Sequence, residues 1–89
     1  MLFVSYDIKD DKTRTRFSKY LSKYGYRVQY SIFCVKNSDR ILNLIKAEIE
    51  NKFKKQFRES DSVMIYKVDK NSIINYGYPI HENDDIIII

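Results

Sequence analysis

The fold of this chain is decided by its first 25 residues, MLFVSYDIKDDKTRTRFSKYLSKYG. Period-two alternation of apolar side chains predicts a β-strand with Asp7 at its C-terminal end. A helix is predicted next, because four apolar side chains recur at helical spacing: Phe17, Tyr20, Leu21 and Tyr24. We expect Asp10 or Asp11 to cap the start of this helix and Gly25 to end it.

The rest of the chain continues the alternation of strands and helices. Residues 27–35 predict a strand that either bends and pairs twice or pairs with a strand that the pattern does not reveal. A second helix follows Asn37 or Ser38 as its cap, and residues 63–68 predict a clear strand. Residues 73–78 predict a weaker one. This order predicts an α+β fold, a ferredoxin-like βαββαβ sandwich.

The length of 89 residues allows one domain, which we place at residues 1–78, and a tail at residues 79–89. The tail ends in four β-branched residues: Ile86, Ile87, Ile88 and Ile89. Leaving them in water would be unfavourable, so we expect an extra C-terminal edge strand. It would add either to the chain's own sheet or, as we prefer, to a partner's sheet.

Charge is distributed unevenly along the chain. Residues 1–58 hold 14 Lys or Arg against 6 Asp or Glu, whereas residues 59–89 hold 2 against 6. A basic body favours a polyanionic partner, although a lysine-rich solvated surface explains it as well. The single cysteine, Cys34, excludes an internal disulfide and fits a cytoplasmic protein, and no apolar run is long enough to span a membrane.

The first predicted helix also carries a basic stripe. Its members recur at helical spacing: Lys12, Arg16, Lys19 and Lys23. Such a row can contact successive phosphates of a duplex, which would make binding strongly dependent on salt. The alternative is an ordinary solvated helix face. The sequence is compatible with either interpretation of the stripe.

Two segments carry a resemblance to a known family. The segment YDIKDDKTR, residues 6–14, resembles the opening of the small CRISPR-associated adaptation protein family, in which a strand ends in an aspartate before an acidic turn and a basic helix. The segment YGYRVQYSIF, residues 24–33, resembles the second signature of that family. Residues 61–66 and the pair Tyr76-Gly77 are also similar, so the resemblance extends over nearly the whole chain.

The resemblance implies a ferredoxin-like homodimer that works beside the CRISPR integrase subunit. In this family the dimer bridges integrase dimers and contacts the backbone of incoming DNA, and its C-terminal strands pack across the dimer or onto partner subunits. Some members are metal-dependent endonucleases on single-stranded RNA or double-stranded DNA, whereas others need no nuclease activity for spacer acquisition. A toxin-type ribonuclease of related fold is the alternative function.

Asp7 is the candidate catalytic residue and metal ligand, because it matches the strand-end aspartate of the family. In a dimer two such carboxylates can share one Mg²⁺ or Mn²⁺, since Mg²⁺ takes oxygen ligands and often uses only one or two carboxylates. The structural alternative is that Asp7 caps a turn or pairs with a basic neighbour such as Arg14. Asp10 and Asp11 fit turn and capping roles better than ligation.

Further candidates follow from the same two segments. Arg14 is expected to hold either a phosphate or Asp7, and Arg27 is a candidate nucleic-acid contact. Three residues of the second segment are expected at the dimer interface or in its cleft: Gln29, Ser31 and Phe33. Arg27, Gln29 and Ser31 would share one strand face, where interface packing explains them as well as substrate contact does. The chain has no Cys/His cluster that would suggest zinc.

Overall fold

Four strands and two α-helices alternate along residues 1–79, the part of the chain that the computed structural model describes. Strand β1 (Leu2–Asp7) leads into helix α1 (Asp11–Leu21). Strands β2 (Gly25–Gln29) and β3 (Ile32–Val35) precede helix α2 (Asp39–Asn51), and strand β4 is Ser62–Lys67. Short 3₁₀ turns lie at Phe53–Gln56 and Lys70–Ser72.

The strands form one sheet in the order β2-β3-β1-β4. β1 lies between β3 and β4 and pairs antiparallel with both, so that Val4 is opposite Phe33 on one side and Ile65 on the other. This topology confirms the predicted α+β, ferredoxin-like βαββαβ fold. Neither α-helix in the described part is long and apolar enough to cross a membrane.

The core lies between the sheet and the two helices. The side chains of Val4, Phe17 and Ile45 are fully buried there. The ring of Phe17 contacts two others edge-on, with centroids 5.2 Å from Tyr6 and 4.9 Å from Phe53. Tyr20 packs against this core from α1, as the helical spacing predicted, whereas Tyr24 packs against it from the turn after the helix.

Each helix begins at a capping side chain that the sequence indicated. Asp10 accepts a hydrogen bond from the backbone N–H of Thr13 at 3.0 Å, which starts α1. Ser38 accepts from the N–H of Ile41 at 3.3 Å and starts α2. These bonds satisfy N–H groups that have no partner within the helix.

Gly25 does not end α1, contrary to the prediction. The helix ends at Leu21, with Ser22 as its cap, and Gly25 begins β2 opposite Val35. A Cβ atom on Gly25 would lie 1.9 Å from the carbonyl oxygen of Cys34, so glycine is needed for a close approach of two backbones.

Of the two remaining predicted strands, one takes the bent form that was one of its alternatives and the other is absent from the described residues. Residues 27–35 split into β2 and β3 around the turn at Tyr30 and Ser31, which is the bent alternative. Residues 73–78 form no strand. Within the described part of the protomer this segment pairs with no strand. Its alternating apolar side chains are 80–91% exposed: Ile74, Tyr76 and Tyr78. The predicted terminal strand, Ile86–Ile89, lies outside the described residues.

We expect Gly25→Ala to lower the free energy of unfolding by about 2–3 kcal/mol, because the new methyl group overlaps the Cys34 carbonyl. Gly77→Ala is the matched control. Gly77 has a φ of 86° but no atom within 4 Å of an added Cβ, so only backbone strain of about 1 kcal/mol is expected. Urea unfolding monitored by circular dichroism measures both, and equal losses would contradict this account of Gly25.

Candidate nucleic-acid and metal site

Asp7 lies at the C-terminal end of β1, opposite Ser62 of β4. Because Val4 and Tyr6 face the core, alternation places Asp7 on the other face of the sheet. Its side chain is 64% exposed, and its Oδ1 atom accepts a hydrogen bond from the Lys9 ammonium at 2.7 Å. Asp7 therefore pairs with a basic neighbour, as one alternative proposed, but this neighbour is Lys9 and not Arg14.

Arg14 binds the backbone of the loop after β1. Its guanidinium donates to the carbonyl oxygens of Ile8 at 2.9 Å and Lys9 at 3.4 Å. It also forms an ion pair with Asp11, and this hydrogen bond is the main reason why the pKa of Arg14 is raised. Arg14 thus holds the loop that follows Asp7 rather than Asp7 itself.

A second group of contacts, here called the Asp61 clamp, holds the same loop. It is made by the residue that immediately precedes β4. One carboxylate oxygen of Asp61 accepts from the N–H of Lys9 at 2.9 Å, and the other accepts from the N–H of Arg58 at 2.8 Å. The Arg58 guanidinium in turn contacts Asp10 at 3.2 Å. The clamp therefore connects the end of β1, the start of α1 and the entry to β4.

The donor chemistry at Asp7 fits a hydrated divalent cation. Carboxylate oxygen is a ligand that Mg²⁺ and Mn²⁺ prefer, and Mg²⁺ commonly keeps several waters while bound to one or two carboxylates. Within residues 1–79, no group of three or more His, Cys, Asp or Glu residues is arranged to hold a metal. Asp7 is therefore not part of such a group within the described residues.

The sheet face that carries Asp7 is called the open face here, since the core and both helices lie on the opposite side. Alternation and register assign further residues to it: Phe3, Ser5, Ile32, Cys34, Met64 and Tyr66. Most are apolar, and Met64 is 61% exposed. Cys34 is buried within the protomer, and this burial raises the pKa of its thiol, so it acts as a small apolar side chain.

The predicted basic stripe lies on the helical side of the molecule. Lys12, Arg16 and Lys19 are exposed on α1, and Lys23 is exposed in the turn that follows the helix. We call these four residues the basic face. Arg16 donates to the side-chain oxygen of Gln56 at 2.8 Å, which joins the basic face to the Phe53–Gln56 turn.

The structure adds basic residues that the sequence reasoning did not assign to a site. The turn beside α1 carries further exposed cations: Lys52, Lys54, Lys55 and Arg58. Phe53 anchors this turn, because its buried ring packs against Phe17 and Tyr20. The lysines at residues 52–55 are visible in the sequence as a basic cluster. Only the packing of Phe53 against α1 shows that this cluster lies next to the basic face.

Arg27, Gln29 and Ser31 do not share one face of a strand, contrary to the prediction. The register of β2 and β3 shifts between Arg27 and Gln29, so that Arg27 pairs with Phe33 and Gln29 pairs with Ile32. Phe33 belongs to the core and is only 3% exposed. Phe33 therefore belongs to the core rather than to a dimer cleft, and Arg27 and Gln29 lie on opposite faces of the sheet.

Arg27 covers the core beside the helices. Its guanidinium lies 5.2 Å from the centre of the Phe33 ring and donates to the carbonyl oxygen of Tyr30 at 2.7 Å. Burial raises the pKa of Tyr6, and the nearby charge of Arg27 opposes this effect. Ser31 lies in the turn, where its carbonyl oxygen accepts from the N–H of Tyr6 at 3.0 Å.

The fold and the site together define a small ferredoxin-like protein with a carboxylate at the end of its first strand and a basic helical surface. Residues 1–75 match the family model described as CRISPR associated protein Cas2. The chain belongs to this family.

Individual relatives agree with this membership. A CRISPR-associated endoribonuclease Cas2 of Chloroflexus aurantiacus is 38% identical over 69 residues, which cover 75% of this chain and 69% of the relative. One from Synechocystis is 32% identical over 71 residues, covering 79% and 73%. A hypothetical protein of Thermus thermophilus has a similar crystal structure, with a TM-score of 0.74 at 29% identity over 89% of this chain and 93% of that one.

The crystal structure of Cas2 from Streptococcus pyogenes has the same fold. Its TM-score is 0.67 at 24% sequence identity, and the match covers 85% of this chain and 98% of that chain.

We expect the Asp61 clamp to make the fold sensitive to acid. Hydrogen bonds from the N–H groups of Thr13 and Arg58 hold the pKa of Asp10 and Asp61, respectively, below the ordinary value of 3.8. Each carboxylate therefore stabilises the fold fully above pH 3.8, and this contribution is lost as the pH falls through the lower pKa of the folded state.

Urea unfolding at about pH 5 and about pH 3 measures this loss. The free energy of unfolding should fall more in the wild type than in the double variant Asp10→Asn/Asp61→Asn. Glu59→Gln, a neutralised exposed carboxyl two residues from Asp61, is the control and should follow the wild type. A double variant with the wild-type pH dependence would contradict the role of the clamp.

Proposed function

We propose that this chain is a spacer-acquisition subunit of a CRISPR system, a homodimer that binds duplex DNA and bridges integrase subunits. We further propose that Asp7 supports a Mg²⁺- or Mn²⁺-dependent endonuclease activity on single-stranded RNA or double-stranded DNA. The match of residues 1–75 to the Cas2 family carries the proposal. Two relatives that are named as endoribonucleases support the nuclease part.

The basic face supports DNA binding. Its four cations are exposed and follow the axis of α1, with further lysines in the adjacent turn. A row of this kind can neutralise several phosphates along one side of a duplex, and counterion release then supplies much of the binding free energy. The face carries no base-reading motif, so the proposed binding is to the backbone and independent of sequence.

The open face supports dimerisation. It presents the half-buried Ile32 and Tyr66 and the exposed Met64 on a sheet whose other side is covered by helices. A second copy of the chain is its proposed occupant, because a small domain gains stability by burying such a face. Asp7 lies on the same face, so the dimer would bring two carboxylates toward one another.

In the proposed nuclease, Asp7 of each protomer would hold the cation. The bound ion supplies a polarised phosphate oxygen and a water of lowered pKa. Asp61 and Arg14 hold the backbone of the two residues that follow Asp7. The basic face would keep the nucleic-acid backbone on the protein while the bond is cut.

We expect charge removal on the basic face to weaken DNA binding and to reduce its salt dependence. Each phosphate contact contributes about −0.9 to the slope of log K against log salt concentration. Lys12→Gln/Lys19→Gln should therefore make the slope shallower by about 2 in fluorescence anisotropy with a duplex. Lys36→Gln/Lys46→Gln removes the same charge elsewhere, and an equal effect of this control would mean that only net charge matters.

We expect Asp7→Ala to abolish metal-dependent cleavage, with a loss of at least about 100-fold, because loss of a ligand should exceed the effect of losing an outer-shell partner. Highly purified wild type and variant are compared on single-stranded RNA and double-stranded DNA with Mg²⁺, Mn²⁺ or EDTA. Asp39→Ala removes another exposed carboxylate and should cleave normally. Equal cleavage by wild type and Asp7→Ala would exclude Asp7 and leave a protein that holds DNA and integrase.

A further inference from the structure

The Asp7 carboxylate already has a cationic partner within its own chain. The Lys9 ammonium lies 2.7 Å from Asp7 Oδ1, and the two side chains are 45% and 64% exposed. An ion pair at such exposure is ordinarily weak, because two mobile side chains lose freedom to form it. What distinguishes this pair is the way in which the backbone of Lys9 is held.

Both backbone polar groups of Lys9 are bound by residues from other elements. Its N–H donates to Asp61 at 2.9 Å, and its carbonyl oxygen accepts from Arg14 at 3.4 Å. The carbonyl of the preceding residue, Ile8, also accepts from Arg14, at 2.9 Å. The start of the Lys9 side chain is thus fixed relative to β1, which reduces the entropy that the ion pair with Asp7 must overcome.

A cation that binds Asp7 must compete with this ammonium. Lys9 occupies one carboxylate oxygen, and its positive charge repels a second cation placed at the same carboxylate. Removing the ammonium removes both effects. The direction of the change follows from the contact alone, because both effects act against binding of the ion.

We propose that Lys9, held in place by Asp61, is a built-in counter-cation of Asp7 that sets the affinity of this site for divalent metal. Lys9 lowers that affinity, so the carboxylate is paired with lysine at low metal concentration and with the metal ion at higher concentration. The inference rests on the proposed metal role of Asp7. It adds a second residue, Lys9, that determines how much metal the site requires.

The test is the dissociation constant for Mn²⁺, measured by electron paramagnetic resonance of free Mn²⁺ with the full chain and no nucleic acid. Lys9→Met should bind Mn²⁺ about fivefold more tightly than the wild type, the factor that corresponds to an exposed ion pair of upper-range strength. Lys9→Arg keeps the charge and should stay close to the wild type. Lys36→Met, which removes an exposed lysine at the other end of the sheet, should also stay close.

The outcomes separate this inference from the proposed function. If Asp7→Ala loses Mn²⁺ binding while Lys9→Met binds no more tightly than Lys36→Met, Asp7 is a metal ligand and the role of Lys9 is wrong. If Asp7→Ala binds Mn²⁺ as the wild type does, the metal role of Asp7 is wrong and the inference fails with it. Thermal unfolding of each variant shows that the compared proteins are folded.

Discussion

Pairing of β1 on both of its edges is the constraint on which the rest of the structure depends. β3 and β4 bind the two sides of β1, so its side chains alternate strictly between the core and the open face. A shift of one residue would turn Val4 out of the core and Asp7 into it. The burial of Val4 and Tyr6 against the helices therefore also fixes the exposed position of Asp7.

The chain after β1 is held both by the burial of Ile8 in the core and by charged side chains that bind its backbone. Asp61 and Arg14 bind its backbone from β4 and α1, and Lys9 lies between them with its ammonium on Asp7. Side-chain hydrogen bonds to backbone groups constrain a loop without burying it, so the candidate ligand is accessible to solvent and still has a defined direction. The same residues thus contribute to stability and to the proposed metal site.

The two candidate surfaces lie on opposite sides of the molecule. The open face is mainly apolar and carries Asp7, whereas the basic face follows α1 on the helical side. Both can be used at once, since a partner on the sheet would leave the helices free. This separation is consistent with a dimer that binds nucleic acid along its outer surfaces.

Much of this protein is determined by local sequence pattern. Alternation at Leu2–Ile8, helical spacing at Phe17–Leu21, and the caps Asp10 and Ser38 follow from the sequence, because each depends on neighbours within a few residues. The strand-end position of Asp7 follows in the same way. Only the tertiary structure decided that Gly25 meets the Cys34 backbone, that a register shift separates Arg27 from Gln29, and that Asp7 pairs with Lys9 rather than Arg14. These features depend on how the strands pair and on which of several nearby basic side chains is free to turn toward Asp7, and the periodicity of apolar side chains encodes neither.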